Sequence, residues 1–232
     1  MHLKKIILLA SAATLAVSAS GQILAFWDFN DEAVTSTLVN TPFTFAPNAG
    51  SQLTAELSMV LADTASAQTF GVLAEGTTVN DLVNDPAVAG NAFAFSRGER
   101  SNGATMSVAF DASSINQPVS LSFAINRVVA NGVSAYQASY STDGGTSFTN
   151  IGSLQSIAQG TWATHEIDFG TVFAGADEAI VRLTFSGGVQ NWSTDHRTNV
   201  DNIALIAIPE PRVYAALFGL LALGFVAWRR RR

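Results

Sequence analysis

The chain has 232 residues, 12 of them basic and 18 acidic, a formal net charge of −6 and no cysteine. The missing thiols exclude disulfide staples, zinc–cysteine sites, iron–sulfur clusters and thiol catalysis. The charge balance argues against nucleic acid as a partner, because that needs a cationic face to displace counterions.

The first segment, MHLKKIILLASAATLAVSASGQ, has a basic start at Lys4 and Lys5 and an apolar core from Ile6 to about Val17. Small residues follow, Ser18 to Gly21. This is the layout of a secretory signal peptide over residues 1–21, and its core is shorter than the roughly 20 residues a bilayer span needs. Small residues allow cleavage after Ala19 or Gly21. The second is favoured and starts the mature chain near Gln22. Signal peptidase and the secretion machinery are then partners, and the body works outside the cytoplasm.

The body, residues 22–208, is long enough for one domain with a sizeable core. Both lysines fall in the signal peptide and five of the ten arginines lie beyond residue 208. The body keeps Arg97, Arg100, Arg127, Arg182 and Arg197 against 17 acidic residues, a net charge of −12. Such a charge favours solubility outside the cell. It suits calcium or a neutral glycan better than a polyanion.

Strand signals run the length of the body. In PVSLSFAINRV, Val119, Leu121, Phe123 and Ile125 share one face while Ser120, Ser122, Ala124 and Asn126 share the other. ATMSVAFD and AIVRLTFSG alternate in the same way. QILAFWDFN, QLTAELSMVL, NAFAFS, VSAYQASYS, TWATHEIDF and NVDNIALIAI complete a set of about ten, separated by turn-rich pieces such as SRGERSNG and STDGGTS. Helical periodicity is absent from the body. The fold class expected is all-β, an antiparallel two-sheet sandwich built as a jelly roll.

Several constellations within the body bear on function. STDGGTSF matches an Asp-box hairpin, with Ser141, Asp143 and Gly145 forming the turn and Phe148 expected to pack into the core beneath it. This is a structural device of secreted β proteins rather than a catalytic one. Near the start of the body lie Asp28 and Asp31, and before the last strand lie Asp201 and Asn202. These oxygen-rich residues suit calcium, which takes six to eight oxygens. They suit turn capping equally well. In a jelly roll the early and last strands lie together, so the two segments could share one ion.

Aromatic rings on a solvated face mark glycan binding. Trp162 has the phase of Glu166 and Asp168, opposite that of Ile167 and Phe169, and Trp192 lies in the glycine-rich loop SGGVQNWSTDH. Both rings are candidate glycan contacts. Folding over the sandwich edge is the alternative for each. The Glu166 and Asp168 carboxylates, about 7 Å apart on one strand face, are the formal candidates for a glycosidase pair. Surface acids are commoner on strands, so no catalytic residue is assigned. A secreted glycoside hydrolase or lyase stands as the alternative reading.

The chain ends IPEPRVYAALFGLLALGFVAWRRRR. No charge interrupts residues 213–228, and a helix of that length covers about 24 Å. Flanking Arg212 and Arg229 can snorkel to extend it, and Tyr214 and Trp228 suit the two interfaces. This predicts one transmembrane helix, with Arg229, Arg230, Arg231 and Arg232 fixing its orientation on the cytoplasmic side. The ordered set of Pro209-Glu210-Pro211, apolar span and terminal arginines, with a signal peptide at the other end, resembles a PEP-CTERM sorting signal over residues 209–232. The same tail is sometimes labelled an ice-binding protein C-terminal domain, a label that belongs to the tail and says nothing of the body. The resemblance implies an exosortase as processing enzyme and a precursor held in the inner membrane. The sorted product would be at the cell surface or in an exopolysaccharide biofilm matrix. Polysaccharide is the partner expected for the body.

Overall fold

The computed structural model describes residues 21–31, 42–50, 53–62, 71–83, 89–96, 98–189 and 197–208, together with Gly219 and Arg229. Twelve strands lie among them: β1 (Gln22–Trp27), β2 (Phe43–Phe45), β3 (Ala55–Val60), β4 (Gly71–Glu75), β5 (Asn91–Phe95), β6 (Thr105–Phe110), β7 (Val119–Arg127), β8 (Ala135–Ser141), β9 (Thr149–Ser156), β10 (Ala163–Asp168), β11 (Ala179–Ser186) and β12 (Thr198–Ala207). One 3-10 turn, Gly98–Ser101, joins β5 to β6.

All the strand pairs are antiparallel. One sheet has the order β10-β7-β12-β5-β4, with β1 also on β12, and the other has the order β2-β3-β6-β11-β8-β9. From β5 onward the chain changes sheet at nearly every step. Those eight strands give β5-β12-β7-β10 facing β6-β11-β8-β9, the order of a jelly roll made from two Greek keys. β1 to β4 add to its margins. β12 is the central strand: β7 runs along one side, and β5 then β1 share the other end to end.

The core forms from the inward phase of each strand. Val119, Leu121, Phe123 and Ile125 of β7 meet Met106 and Val108 of β6 and Val181, Leu183 and Phe185 of β11 across the gap. Phenylalanines dominate. Phe93 contacts Phe29, Phe43, Phe45 and Phe95, and Phe95 meets Phe185 at 4.6 Å between centroids. Trp27 is buried and donates its indole N–H to the Phe45 carbonyl at 3.1 Å. Each such ring removes roughly 150–250 Å² from water, which lets packing hold a body with no cysteine.

The outward phase of the β7 sheet is built of small residues. Ser120, Ser122, Ala124, Ala92, Ala94 and Ala204 are buried although they face away from the core. Their small side chains let residues 76–83 lie against the sheet. Ser122 Oγ donates to Asn80 Oδ1 at 2.8 Å, and Asn80 Nδ2 donates to the Asn202 carbonyl at 2.7 Å.

The registers also define two ends of the sandwich. Gln22, facing Ala207, and Ile208, bonded to the Pro118 carbonyl, lie at one end. Asp111, Asp143, Asp177 and Glu178 follow or precede strands at that same end. Arg127, Trp162 and Arg197 cluster at the opposite end, where Arg127 pairs with Thr198 and Ala163 pairs with Ile125.

Three strands were not expected from sequence. β2 has three residues, too short for a periodic signal, and β4 carries its two large apolar residues, Val72 and Leu73, side by side rather than in alternation. β9 is almost wholly exposed, and its pairing with β8 is irregular between Tyr136 and Ala138, so no alternation marks it.

Candidate functional site

A cleft of about 410 Å³ opens on the outward face of the β7 sheet, at the end remote from Gln22 and Ile208. Asn199 of β12 pairs with Asn126 of β7 on one side and Ala94 of β5 on the other. Both asparagines line the cleft, with Trp162 and Arg197 beside them and, opposite, Glu75 at the end of β4 and Gly76 and Thr77 of the loop that then crosses the sheet. Trp162 precedes β10 and is half-buried. Its phase is outward, as sequence indicated. Its neighbours differ from those expected. Glu166 is four strand positions away, about 13 Å along the chain, and lines a different groove.

The cleft carries unpaired polar groups. Of its lining residues, Asn126 and Asn199 bury their Oδ1 atoms and Arg197 buries its Nε without a hydrogen-bond partner, as does Arg127 outside the cleft at the end of β7. Asn199 is 5% exposed. A buried unsatisfied group costs about 1–3 kcal/mol, so this corner of the fold is built at the expense of stability.

The crossing loop is held by the last strand. Asp201, 1% exposed, accepts the Thr77 N–H at Oδ2 and the Asn202 N–H at Oδ1, both at 2.8 Å. Asn202 takes φ 47°, a left-handed conformation that asparagine tolerates, at an irregularity in the β12–β7 register. Its amide then donates to the carbonyls of Thr77 at 2.7 Å and Val79 at 2.9 Å. Asp201 is pushed up to about 8, by burial first and then by the nearby Asp28 and Asp81 charges, against the pull of its two N–H donors.

The metal candidates therefore divide. Asp28, 8% exposed, lies close enough to Asp201 to raise its pKa, as expected of an early and a last strand side by side. Asp31 stays exposed in the turn after β1, and the Asn202 amide nitrogen is spent on the loop. Among the described residues no group of three or more histidine, cysteine or acidic side chains is arranged to hold a metal.

Ser141, Asp143 and Gly145 form a hydrogen-bonded turn between β8 and β9. Ser141 Oγ donates to Asp143 Oδ1 at 2.6 Å, and Gly145 N donates to Ser141 Oγ at 2.9 Å. Ser147 donates from its backbone N–H at 3.0 Å and from its hydroxyl at 2.6 Å to Asp143. These bonds hold Asp143 down at about 2, the Ser141 hydroxyl contributing most. Gly144 and Gly145 supply φ values of 67° and 90°. Phe148 corrects the sequence expectation. Thr149 pairs with Tyr140, so the residue before it falls opposite Ser141 on the outward phase. Phe148 is half-buried outside the core, with the Arg182 guanidinium 3.4 Å above its ring centroid.

Glu166 and Asp168 are exposed on β10 at the lip of a 440 Å³ groove between the sheet edges. They stand side by side on one strand face rather than across a bond, and Asp168 caps a turn by accepting the Gly170 N–H at 2.7 Å. His165 points the other way, with Nδ1 2.8 Å from the Tyr136 hydroxyl. Burial pushes Tyr136 up to about 12 and His165 below its ordinary value, so the pair is a neutral plug of the core edge at pH 7.

Trp192, Pro209, Glu210, Pro211, Arg230, Arg231 and Arg232 lie outside the described residues, as do residues 1–20 of the signal peptide. So does the predicted transmembrane helix except for Gly219, which with Arg229 has helical backbone and is exposed. No helix among the described residues is long and apolar enough to cross a membrane. Sequence reasoning missed Asn126, Asn199 and Arg197 as cleft residues. The outward phase of two paired strands would have found the asparagines.

No protein-family model matches the chain, and no curated protein sequence is detectably similar. Solved structures with a similar architecture include the CBM22-1 xylan-binding domain of Paenibacillus barcinonensis Xyn10C, at 9% identity over 83% of this chain and 99% of that one, TM-score 0.42. The C-terminal family 22 carbohydrate binding module of Clostridium thermocellum Xyn10B matches at 8% identity over 81% and 94%, TM-score 0.45. The K1 cleaved adhesin domain of Lys-gingipain from Porphyromonas gingivalis W83 matches at 10% over 79% and 98%, TM-score 0.41. At these identities and scores the likeness is no guide to what this chain binds.

Proposed function

We propose that this is an exported, exosortase-sorted surface or matrix protein whose jelly roll binds a glycan without catalysis. The observation that carries the binding half is the cleft. A half-buried indole beside unpaired amide and guanidinium groups offers an apolar sugar face and polar groups together. The sorting half rests on the tail, where Pro209-Glu210-Pro211 precedes the apolar span and the arginines. Calcium is carried as a cofactor proposal at Asp28 and Asp201 only.

Full-length protein, purified from membranes, is to be applied to a glycan array beside the Trp162→Ala variant. Binding to a restricted set of polysaccharides, weakened roughly tenfold or more by the substitution, is expected. Binding unaffected by the substitution removes the cleft from the reading. Polysaccharide cleavage by the same preparation would instead favour the hydrolase or lyase alternative. For the tail, replacing Pro209, Glu210 and Pro211 by alanine is expected to leave export intact and to accumulate unprocessed precursor in the inner membrane. Normal shortening and release of that variant, in a host with an exosortase, would make the tail a membrane anchor only.

A further inference from the structure

We infer that the cleft selects glycans carrying a carboxylate, a uronate chain, with Arg197 as the residue that reads the charge. This rests on the glycan reading of the same cleft and goes beyond it in naming the ligand chemistry. The first observation is the sign of the free groups. Neither the Arg197 nor the Arg127 guanidinium has a hydrogen bond or ion pair among the described residues. Asn126 and Asn199 turn their Oδ1 atoms into the protein, unbonded, and their Nδ2 groups are neither hydrogen-bonded nor fully buried. Asn126, Asn199 and Arg197 therefore present N–H donors to the cleft, from two neutral amides and one cation. Such a wall is completed by an acceptor-rich anion. A guanidinium fork matches a planar carboxylate better than it matches a hydroxyl.

The second observation is where the charge sits. The body as a whole is strongly acidic, which disfavours a polyanion. Yet Asp111, Asp143, Asp177 and Glu178 lie at the end bearing Gln22 and Ile208. Arg127 and Arg197 lie at the cleft end. Over a separation larger than the Debye length of about 8 Å the acidic end is screened, which leaves Arg197 as the cation lining the cleft, opposed by Asp28 and Asp81 beside Asp201 behind the Thr77 segment. Glu75 on the opposite wall is exposed and is the one carboxylate lining the cleft among the described residues. It opposes a uronate and sharpens the test.

The experiment compares a uronate oligosaccharide with its carboxyl-reduced counterpart, the same sugars with the acid converted to a primary alcohol. Binding to the full-length protein is measured by calorimetry. The uronate is expected to bind roughly tenfold to a hundredfold more tightly, the range of one charge-assisted hydrogen-bonded pair. Arg197→Gln should remove that preference, lowering uronate affinity far more than affinity for the reduced chain, and Glu75→Gln should strengthen uronate binding. Melting curves of both variants must match the parent, since a lost fold would weaken both ligands alike. Equal or tighter binding of the reduced chain overturns the inference and leaves the glycan reading standing. Binding of neither chain, with no glycan bound on the array, overturns both.

Discussion

Asp143 gathers N–H and O–H donors and Asp201 gathers two N–H donors, yet their acidities move in opposite directions. Asp143 sits on the exposed β8–β9 turn, where Ser141 and Ser147 stabilise its charge, and it titrates at about 2. Asp201 accepts two backbone N–H bonds from Thr77 and Asn202, yet it titrates at about 8 because it is buried near Asp28 and Asp81. Hydrogen bonds pull the pKa of both carboxyls down, but on the exposed turn water also solvates the charge. Once burial removes that water, two short bonds do not compensate. One turn is a surface device that works when ionised. The other holds a loop over the sheet and is at its strongest when neutral.

The contrast can be broken most forcefully through pH. Asp201 has a folded value of about 8, raised above the unfolded value of 3.8. The folded state holds the extra proton between those values, so its contribution is complete below the lower one and is lost as pH rises through the upper one. Stability should fall by up to about 1.4 kcal/mol per pH unit across that window. Chemical denaturation of the full-length protein from pH 4 to pH 9 measures it. Asp201→Asn should flatten the slope, and a slope that survives the substitution assigns the effect to other groups.

Calcium gives a smaller and narrower effect. An ion held by Asp28 and Asp201 requires Asp201 ionised, so millimolar calcium should raise the melting temperature above pH 8 and scarcely at all near pH 5. Asp28→Asn should abolish the increment. The absence of any shift at pH 9 would leave both residues as loop and turn caps.

Asp143 gives the smallest effect and the opposite sign. Its folded value lies below the unfolded one, so its contribution is present above pH 4 and lost as pH falls towards 2. Asp143→Ala should lower the melting temperature slightly at pH 7 and leave it unchanged at pH 2. An equal loss at both pH values would mean that the turn is held by its glycines rather than by its carboxylate.

Sequence alternation disclosed the strands that bury one face and little else. β7 and β11 could be read residue by residue because every second side chain enters the core. β9 could not, because it is an exposed, irregular edge with no apolar phase to display. Trp162 stood out by its phase and by its size. Its partners Asn126 and Asn199 did not, since an outward asparagine on a strand looks the same in solvent and in a cleft. Their juxtaposition depends on β7 and β12 being neighbours, a pairing of segments more than seventy positions apart in the chain. Phe148 shows the converse error. A motif supplied the expectation that its ring goes inward, and the strand register turned it outward beneath Arg182.

The central place of β12 has a mechanical consequence. The chain leaves the sandwich at Ile208, directly after that strand, while the cleft lies at its other end beside Asn199. Tension between a captured ligand and the tail would therefore act along the axis of β12. Its ladders to β7 and β1 run perpendicular to that pull, so the bonds are strained together in shear instead of opening one by one like a zip. Had the tail continued from an outer strand such as β9 or β4, the same load would have peeled the sheet from its margin. Under the proposed tethered reading, this choice of last strand sets the load in shear rather than in peeling.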